Sequence, residues 1–193
     1  MLENIIRQPY QQWLLTPFAK AIQSISSPMV ITLLACLTGV MILPTLYLHH
    51  TNVALILLIL TGFLDTLDGT IARLKNQCTE FGGAMDIISD RVVECAIIIG
   101  FYLYAPHERA LSCLILLSTI LLCVTSFLVI GIFTKNNTNK SFYYNSALIE
   151  RFEAFIFFAL MICLPQYFNI LCNTLSLLIL ITTAQHSIKL FRF

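Results

Sequence analysis

Residues 65–90 read DTLDGTIARLKNQCTEFGGAMDIISD and set four carboxylates, Asp65, Asp68, Asp86 and Asp90, at the ends of two otherwise apolar runs. A charged acid at the centre of a bilayer costs about 2.5–3.5 kcal/mol on insertion scales and ordinarily faces a polar cavity. Four of them in one short stretch point to a cation site.

The surrounding composition identifies the solvent. Hydrophobic residues make up 58% of the 193 and charged residues 11%, with a mean hydropathy of +0.85, whereas a soluble domain carries about a quarter charged residues. A transmembrane helix needs about 20 mostly apolar residues, and six windows qualify: about 29–48, 53–72, 84–104, 110–133, 147–164 and 168–186. The expected fold is therefore an all-α integral membrane protein, a bundle of six transmembrane helices over residues 27–193, preceded by an interfacial amphipathic helix over residues 1–26.

That N-terminal helix is read from Ile6, Tyr10, Trp13, Leu14, Ala21, Ile22 and Ile25 recurring at helical spacing, opposed by Gln11, Gln12, Lys20 and Gln23. No short apolar core between a basic start and a small-residue cleavage site marks a cleavable signal. Placing the N-terminus in the cytosol puts Arg7, Lys20, Arg73, Lys75, Lys135, Lys140, Lys189 and Arg192 on that side and leaves Arg109 outside. The positive-inside rule then makes both termini and the aspartates cytosolic, and a multi-pass place in a bacterial inner membrane is the expected localisation. The net charge of +1 says little about partners, and none is expected among nucleic acids.

Other candidate ligands are discounted. The seven cysteines form no CxxC pair and read as packing residues in apolar helices. His49 and His50 are adjacent, so their side chains diverge, and no third ligand accompanies them.

Asp65 and Asp68 lie one turn apart on one helix face, with Ala72 continuing it, and Asp86 and Asp90 do the same on the next helix. A tight turn over residues 73–82, rich in Lys75, Asn76, Gln77 and Thr79, brings the two helices side by side, so the four carboxylates can converge. Arg73 and Arg91 neutralise part of the charge, and an ion-pair network is the purely structural reading of the cluster. Four acids against two arginines leave negative charge over, which hard divalent ions with oxygen ligands answer. Mg²⁺ or Mn²⁺ is expected, and two ions would match the carboxylate supply of a two-metal phosphoryl clamp. Gly69 and Ala72 flatten the helix surface beside the acids, Arg73 offers a planar fork for phosphate, and Gly82 and Gly83 can permit a sharp turn.

Asp65, Asp68, Gly69, Ala72, Arg73, Gly82, Asp86 and Asp90 together resemble the signature of the CDP-alcohol phosphatidyltransferases, DxxDGxxAR, eight residues, G, three, D, three, D, with every spacing kept. The segment SPMVIT at 27–32 resembles that family's entry to its first span, with Met29 where an asparagine is common. The resemblance implies that Asp65, Asp68 and Asp86 bind divalent ions and that Asp90 is the general base, also near a metal. It further implies that Asp65, Asp68, Gly69, Ala72, Arg73 and Gly82 contact the cytidine nucleotide. The implied reaction moves a phosphatidyl group from CDP-diacylglycerol to a small alcohol and releases CMP, in a homodimer whose site opens to the cytosol and to lipid.

The acceptor is less legible. The run Asp90, Arg91, Glu94 looks like the branch that uses inositol phosphate or a related polyol phosphate such as glycerol 3-phosphate, and Lys135 and Arg151 are candidates to hold the acceptor phosphate. Serine, inositol, choline or another alcohol are the alternatives within the family. Outside it stand a cation transporter, against which the absence of an evident inverted repeat argues, and an inactive scaffold, against which the complete set of acids argues.

Overall fold

Inside a bilayer the backbone has no water to bond with, so each spanning segment must satisfy its own N–H and C=O groups, and helix is the local solution. The computed structural model describes residues 16–22, 27–133 and 151–190, and helices account for nearly all of them, with no strand among the described residues. The chain divides into two compact units, Met1–Tyr104 and Ala105–Phe193.

The first unit contains α1 (Thr16–Ile22), α2 (Pro28–Val40), α3 (Ile42–Tyr47), α4 (Thr51–Leu74) and α5 (Glu80–Tyr104). Of the stretch expected as an interfacial helix, residues 1–26, α1 is the part described, and residues 1–15 and 23–26 lie outside the described residues. It packs on α4, where Ala19 joins Ile31, Leu67 and Ile71 in a buried cluster and the Phe18 ring meets Phe63 edge-on at 5.4 Å. The window expected as one helix over 29–48 breaks at Met41. Pro44 supplies the reason, since it has no N–H for the carbonyl four residues back and its ring crowds that carbonyl. The chain then reverses through His49, which takes the left-handed conformation at φ 58°. The His49 N–H bonds the Leu46 carbonyl and the His50 N–H the Thr45 carbonyl, closing the helix end, while the His49 ring packs edge-on against Tyr104 at 4.4 Å.

Small residues set the helix spacing. A Cβ at Gly39 on α2 would fall 2.5 Å from Val93 Cγ2 on α5, and one at Gly100 would fall 3.1 Å from the Leu43 Cα. Such contacts are the usual device of membrane bundles, where close backbone approach maximises dispersion attraction. Across the α2–α4 seam the buried Thr61 donates its hydroxyl to Thr38 Oγ1 at 3.0 Å.

The second unit contains α6 (Pro106–Phe133), α7 (Arg151–Cys163), a 3₁₀ turn at Pro165–Tyr167 and α8 (Phe168–Leu190). A polar clasp joins α6 to α8. The Ser112 hydroxyl donates to Asn169 Oδ1 at 2.9 Å, and Asn169 Nδ2 donates to the Glu108 carbonyl at 3.2 Å. Arg109, 5% exposed, lies with its guanidinium carbon 4.1 Å from the centre of the Phe168 ring. Cys113 and Cys172 are buried as packing residues, but Cys78, Cys95 and Cys163 are exposed, so the packing role expected of the cysteines holds for only part of the set.

Four helical segments, Pro28–Tyr47, Thr51–Leu74, Pro106–Ile132 and Pro165–Gln185, are long and apolar enough to cross a membrane. The other two expected windows coincide with α5, which has the length but carries Asp86, Asp90, Arg91 and Glu94, and with α7, whose apolar stretch Phe152–Cys163 is shorter.

Gly39→Ala should lower the thermal stability of the detergent-solubilised protein by about 1–3 kcal/mol through overpacking against Val93. Adding Val93→Ala should restore part of that loss in a melting experiment; an unchanged melting temperature for Gly39→Ala alone would contradict the close approach.

Candidate metal centre

The site is built where α4 ends and α5 begins. Residues 75–79 connect them, a shorter link than the 73–82 turn expected from sequence. The Asn76 N–H bonds the Arg73 carbonyl at 3.2 Å and the Gln77 N–H reaches the Ala72 carbonyl at 2.9 Å, which is the paired closure of a Schellman motif. Its left-handed residue is Asn76, at φ 53°, while no glycine has positive φ among the described residues. The sharp turn expected of Gly82 and Gly83 is therefore made by Asn76, whose short polar side chain tolerates that conformation.

Gly82 and Gly83 lie in the first turn of α5, as expected of residues that open that helix, capped by Thr79. The Gly82 N–H donates to Thr79 Oγ1 at 3.0 Å and the Gly83 N–H to the Thr79 carbonyl at 3.1 Å. A Cβ at Gly82 would stand 3.1 Å from that hydroxyl, so glycine eases the cap's approach.

This connection returns α5 alongside α4 and gathers three acids. One carboxylate oxygen from each of Asp65, Asp68 and Asp86 lies within 4.8 Å of the other two. Asp68 is 6% exposed, and its Oδ2 accepts a 2.6 Å hydrogen bond from the buried Thr32 hydroxyl on α2. Two unit negative charges at that spacing repel by roughly 3 kcal/mol at an effective dielectric constant near 20. A divalent cation converts the repulsion into attraction, and three carboxylates form the hard oxygen donor set that suits Mg²⁺ or Mn²⁺. The residues present thus fit such an ion.

Asp90 lies one turn further along α5 and outside the three-acid group. Its Oδ2 stands 3.9 Å from Arg91 Nη2, and Arg91 Nη1 makes a 2.5 Å contact with Oε2 of the buried Glu94. Arg91, expected to neutralise the aspartates, is thus held most closely by Glu94. Arg73 donates from Nη2 to Thr70 Oγ1 at 3.3 Å, and its Nη1 lies 3.6 Å from where a Cβ on Gly69 would be. The guanidinium therefore drapes over the flat patch at Gly69, one turn from the half-buried Ala72. Lys135 lies outside the described residues, and of Arg151 only the backbone, opening α7, is described.

Sequence reasoning missed Thr32, Thr79 and Asn76 as the residues that hold the site's geometry. Thr32 ends the SPMVIT segment singled out at the entry to the first span, so the signal was present without a partner being assignable to it.

Comparison with known proteins places the chain. The CDP-alcohol phosphatidyltransferase family model matches residues 25–186. The inner membrane protein YnjF of Escherichia coli K12 is 33% identical over 145 residues, covering 72% of this chain and 70% of that protein. An archaetidylinositol phosphate synthase of Pyrococcus horikoshii is 29% identical over 99 residues, 51% of this chain and 50% of that protein. Among solved structures, the Mycobacterium tuberculosis phosphatidylinositol phosphate synthase PgsA1 shares the fold. With CDP-DAG bound it superposes with a TM-score of 0.73 at 20% identity, covering 90% of this chain and 91% of that one. In complex with manganese and citrate it gives a TM-score of 0.75 at 20% identity, covering 90% and 87%.

Asn76→Val should destabilise the protein by about 1–2 kcal/mol, because a branched residue is strained at positive φ, whereas Asn76→Gly should match or exceed the parent. Equal melting temperatures for the two variants would contradict the left-handed cap.

Proposed function

The chain belongs to the CDP-alcohol phosphatidyltransferase family, and from that premise we propose that it transfers a phosphatidyl group from CDP-diacylglycerol to a small hydroxyl acceptor in a metal-dependent reaction that releases CMP. The observation that carries this reading is the convergence of Asp65, Asp68 and Asp86, with oxygens within 4.8 Å of one another, near the adjoining ends of α4 and α5. A pyrophosphate-linked lipid presents its charged bridge at that depth, just where its acyl chains enter the bilayer.

The roles divide by chemistry. Asp65, Asp68 and Asp86 would hold Mg²⁺ or Mn²⁺, two ions in the fullest form of the proposal, with Asp90 close by. Ions held there would supply charge neutralisation of the pyrophosphate and polarisation of the phosphorus under attack. Gly69 and Ala72 let the nucleotide approach the α4 backbone, Gly82 completes that surface from α5, and the Arg73 fork pairs with phosphate oxygens. Asp90 accepts the proton of the acceptor hydroxyl as its oxygen bonds to the phosphorus attached to diacylglycerol. The bond from that phosphorus to the CMP oxygen breaks, and CMP departs with the electron pair. Positioning and charge stabilisation supply most of the acceleration, and the base adds on the order of 10²–10⁴.

A polyol phosphate is the proposed acceptor class. Supporting it are the Asp90, Arg91, Glu94 run and similarity to two relatives named archaetidylinositol phosphate synthase. Lys135 and Arg151 are proposed to hold its phosphate. The reading extends to six spans, a cytosolic active site and termini, and a homodimer, supported by the distribution of lysine and arginine and by the family relationship.

Purified protein supplied with CDP-diacylglycerol, Mn²⁺ and a panel of acceptors should release CMP, fastest with inositol phosphate or glycerol 3-phosphate. Asp90→Asn should lower turnover by at least about 10², and Lys140→Ala should leave it near the parent rate. Mn²⁺ should raise the parent's melting temperature, as a ligand bound only by the folded state must, and Asp86→Ala should lose that rise. No CMP with any acceptor, or Asp86→Ala retaining both turnover and the Mn²⁺ response, refutes the assignment.

A further inference from the structure

We infer that Thr32 is a positioning residue of the metal centre, holding the Asp68 carboxylate in its ligating orientation from a different helix; this rests on the metal-dependent reading above. Thr32 stands on α2, whereas the three acids stand on α4 and α5. Its hydroxyl is 2.6 Å from Asp68 Oδ2 and 3.2 Å from the Pro28 carbonyl. A hydroxyl has one proton to donate. The shorter contact falls in the 2.5–2.7 Å range of a bond to a charged oxygen, so the proton goes to Asp68, leaving the Pro28 carbonyl as the ordinary fallback of a helical threonine.

The geometry makes the hold directional. A carboxylate on a helix turns about its two side-chain torsions, and an oxygen pinned from a neighbouring helix fixes the plane in which the other oxygen and the remaining lone pairs point. Thr32 is itself stiff, being branched at Cβ and only 8% exposed. The α2–α4 register behind it is set by a second polar contact, Thr61 to Thr38 at 3.0 Å. Asp68 is the most buried of the three acids, the one for which free rotation into water is least available as an alternative. Outer partners of this kind typically change metal affinity by about 10–100-fold when removed.

The bland alternative is that the bond only joins two helices, in which case its loss would lower stability and leave ion affinity unchanged. The test separates the two. Parent, Thr32→Val, Thr32→Ser, Thr32→Ala and Asp86→Ala are purified in detergent and titrated with Mn²⁺ alone, free ion being read by electron paramagnetic resonance. Thr32→Val, which keeps the shape and removes the hydroxyl, should weaken Mn²⁺ binding by about tenfold or more, and Thr32→Ser should stay close to the parent. The Mn²⁺ concentration for half-maximal CMP release should rise in Thr32→Val while turnover at saturating Mn²⁺ largely recovers. Thr32→Ala gives the same comparison if the valine variant does not survive purification. Parent-like affinity in the valine and alanine variants, with Asp86→Ala losing the ion, overturns the role of Thr32 alone. Serine weakening binding as much as valine overturns it as well. A parent that takes up no Mn²⁺ overturns the metal reading and this inference together.

Discussion

Electrostatic repulsion among three carboxylates held within 4.8 Å of one another is the constraint that the first unit is organised around. No single helix can impose it, because Asp65 and Asp68 come from α4 and Asp86 from α5, so the cluster exists only while those helices are held antiparallel at fixed register. The restraint is supplied at the turn. A Schellman closure through Asn76 ends one helix, and five residues later the next has begun under the Thr79 cap. Both features satisfy backbone groups that a helix end leaves open, so the same bonds that stabilise the termini also aim the acids.

Further along the bundle, small and hydroxylated residues carry register that large apolar side chains cannot. Lipid tails are as apolar as leucine, so burial of leucine gives little preference for one partner helix over another. Gly39 against Val93 and Gly100 against Leu43 admit close backbone approach, and the Thr61–Thr38 and Thr32–Asp68 bonds give direction. Thr32 belongs to both networks, which makes the first span a structural partner of the candidate centre. The second unit solves its own packing in a comparable way, with Ser112 and Asn169 joining α6 to α8 and Arg109 donating to the Pro165 carbonyl of the 3₁₀ turn.

Charge along α5 is handled by two different means in one helix. Asp86 joins the acid cluster, where a cation is the natural counter-charge, while Glu94 two turns further on is matched by Arg91. Breaking a buried ion pair by removing one partner leaves an uncompensated charge, which is why such pairs persist once present. Arg91 also approaches Asp90 at 3.9 Å, so the proposed base sits between an acid of the candidate metal centre and a paired arginine.

The helical class and the residues of the candidate centre were readable in the chain itself. Helical periodicity puts Asp65 with Asp68 and Asp86 with Asp90, and apolar windows mark helices, because both follow from local geometry and composition. The break at Met41 was also within reach through Pro44. What only the tertiary structure decided is everything that depends on contact between segments distant in sequence. Thr32 lies 36 residues from Asp68, and no local rule pairs them. Two local choices were left open as well: Asn76 rather than glycine takes the left-handed turn, and Arg91 lies closer to Glu94 than to Asp90. Periodicity states which face of a helix a residue occupies, but the partner on the opposing face is chosen by how whole helices pack, and that is a property of the folded chain.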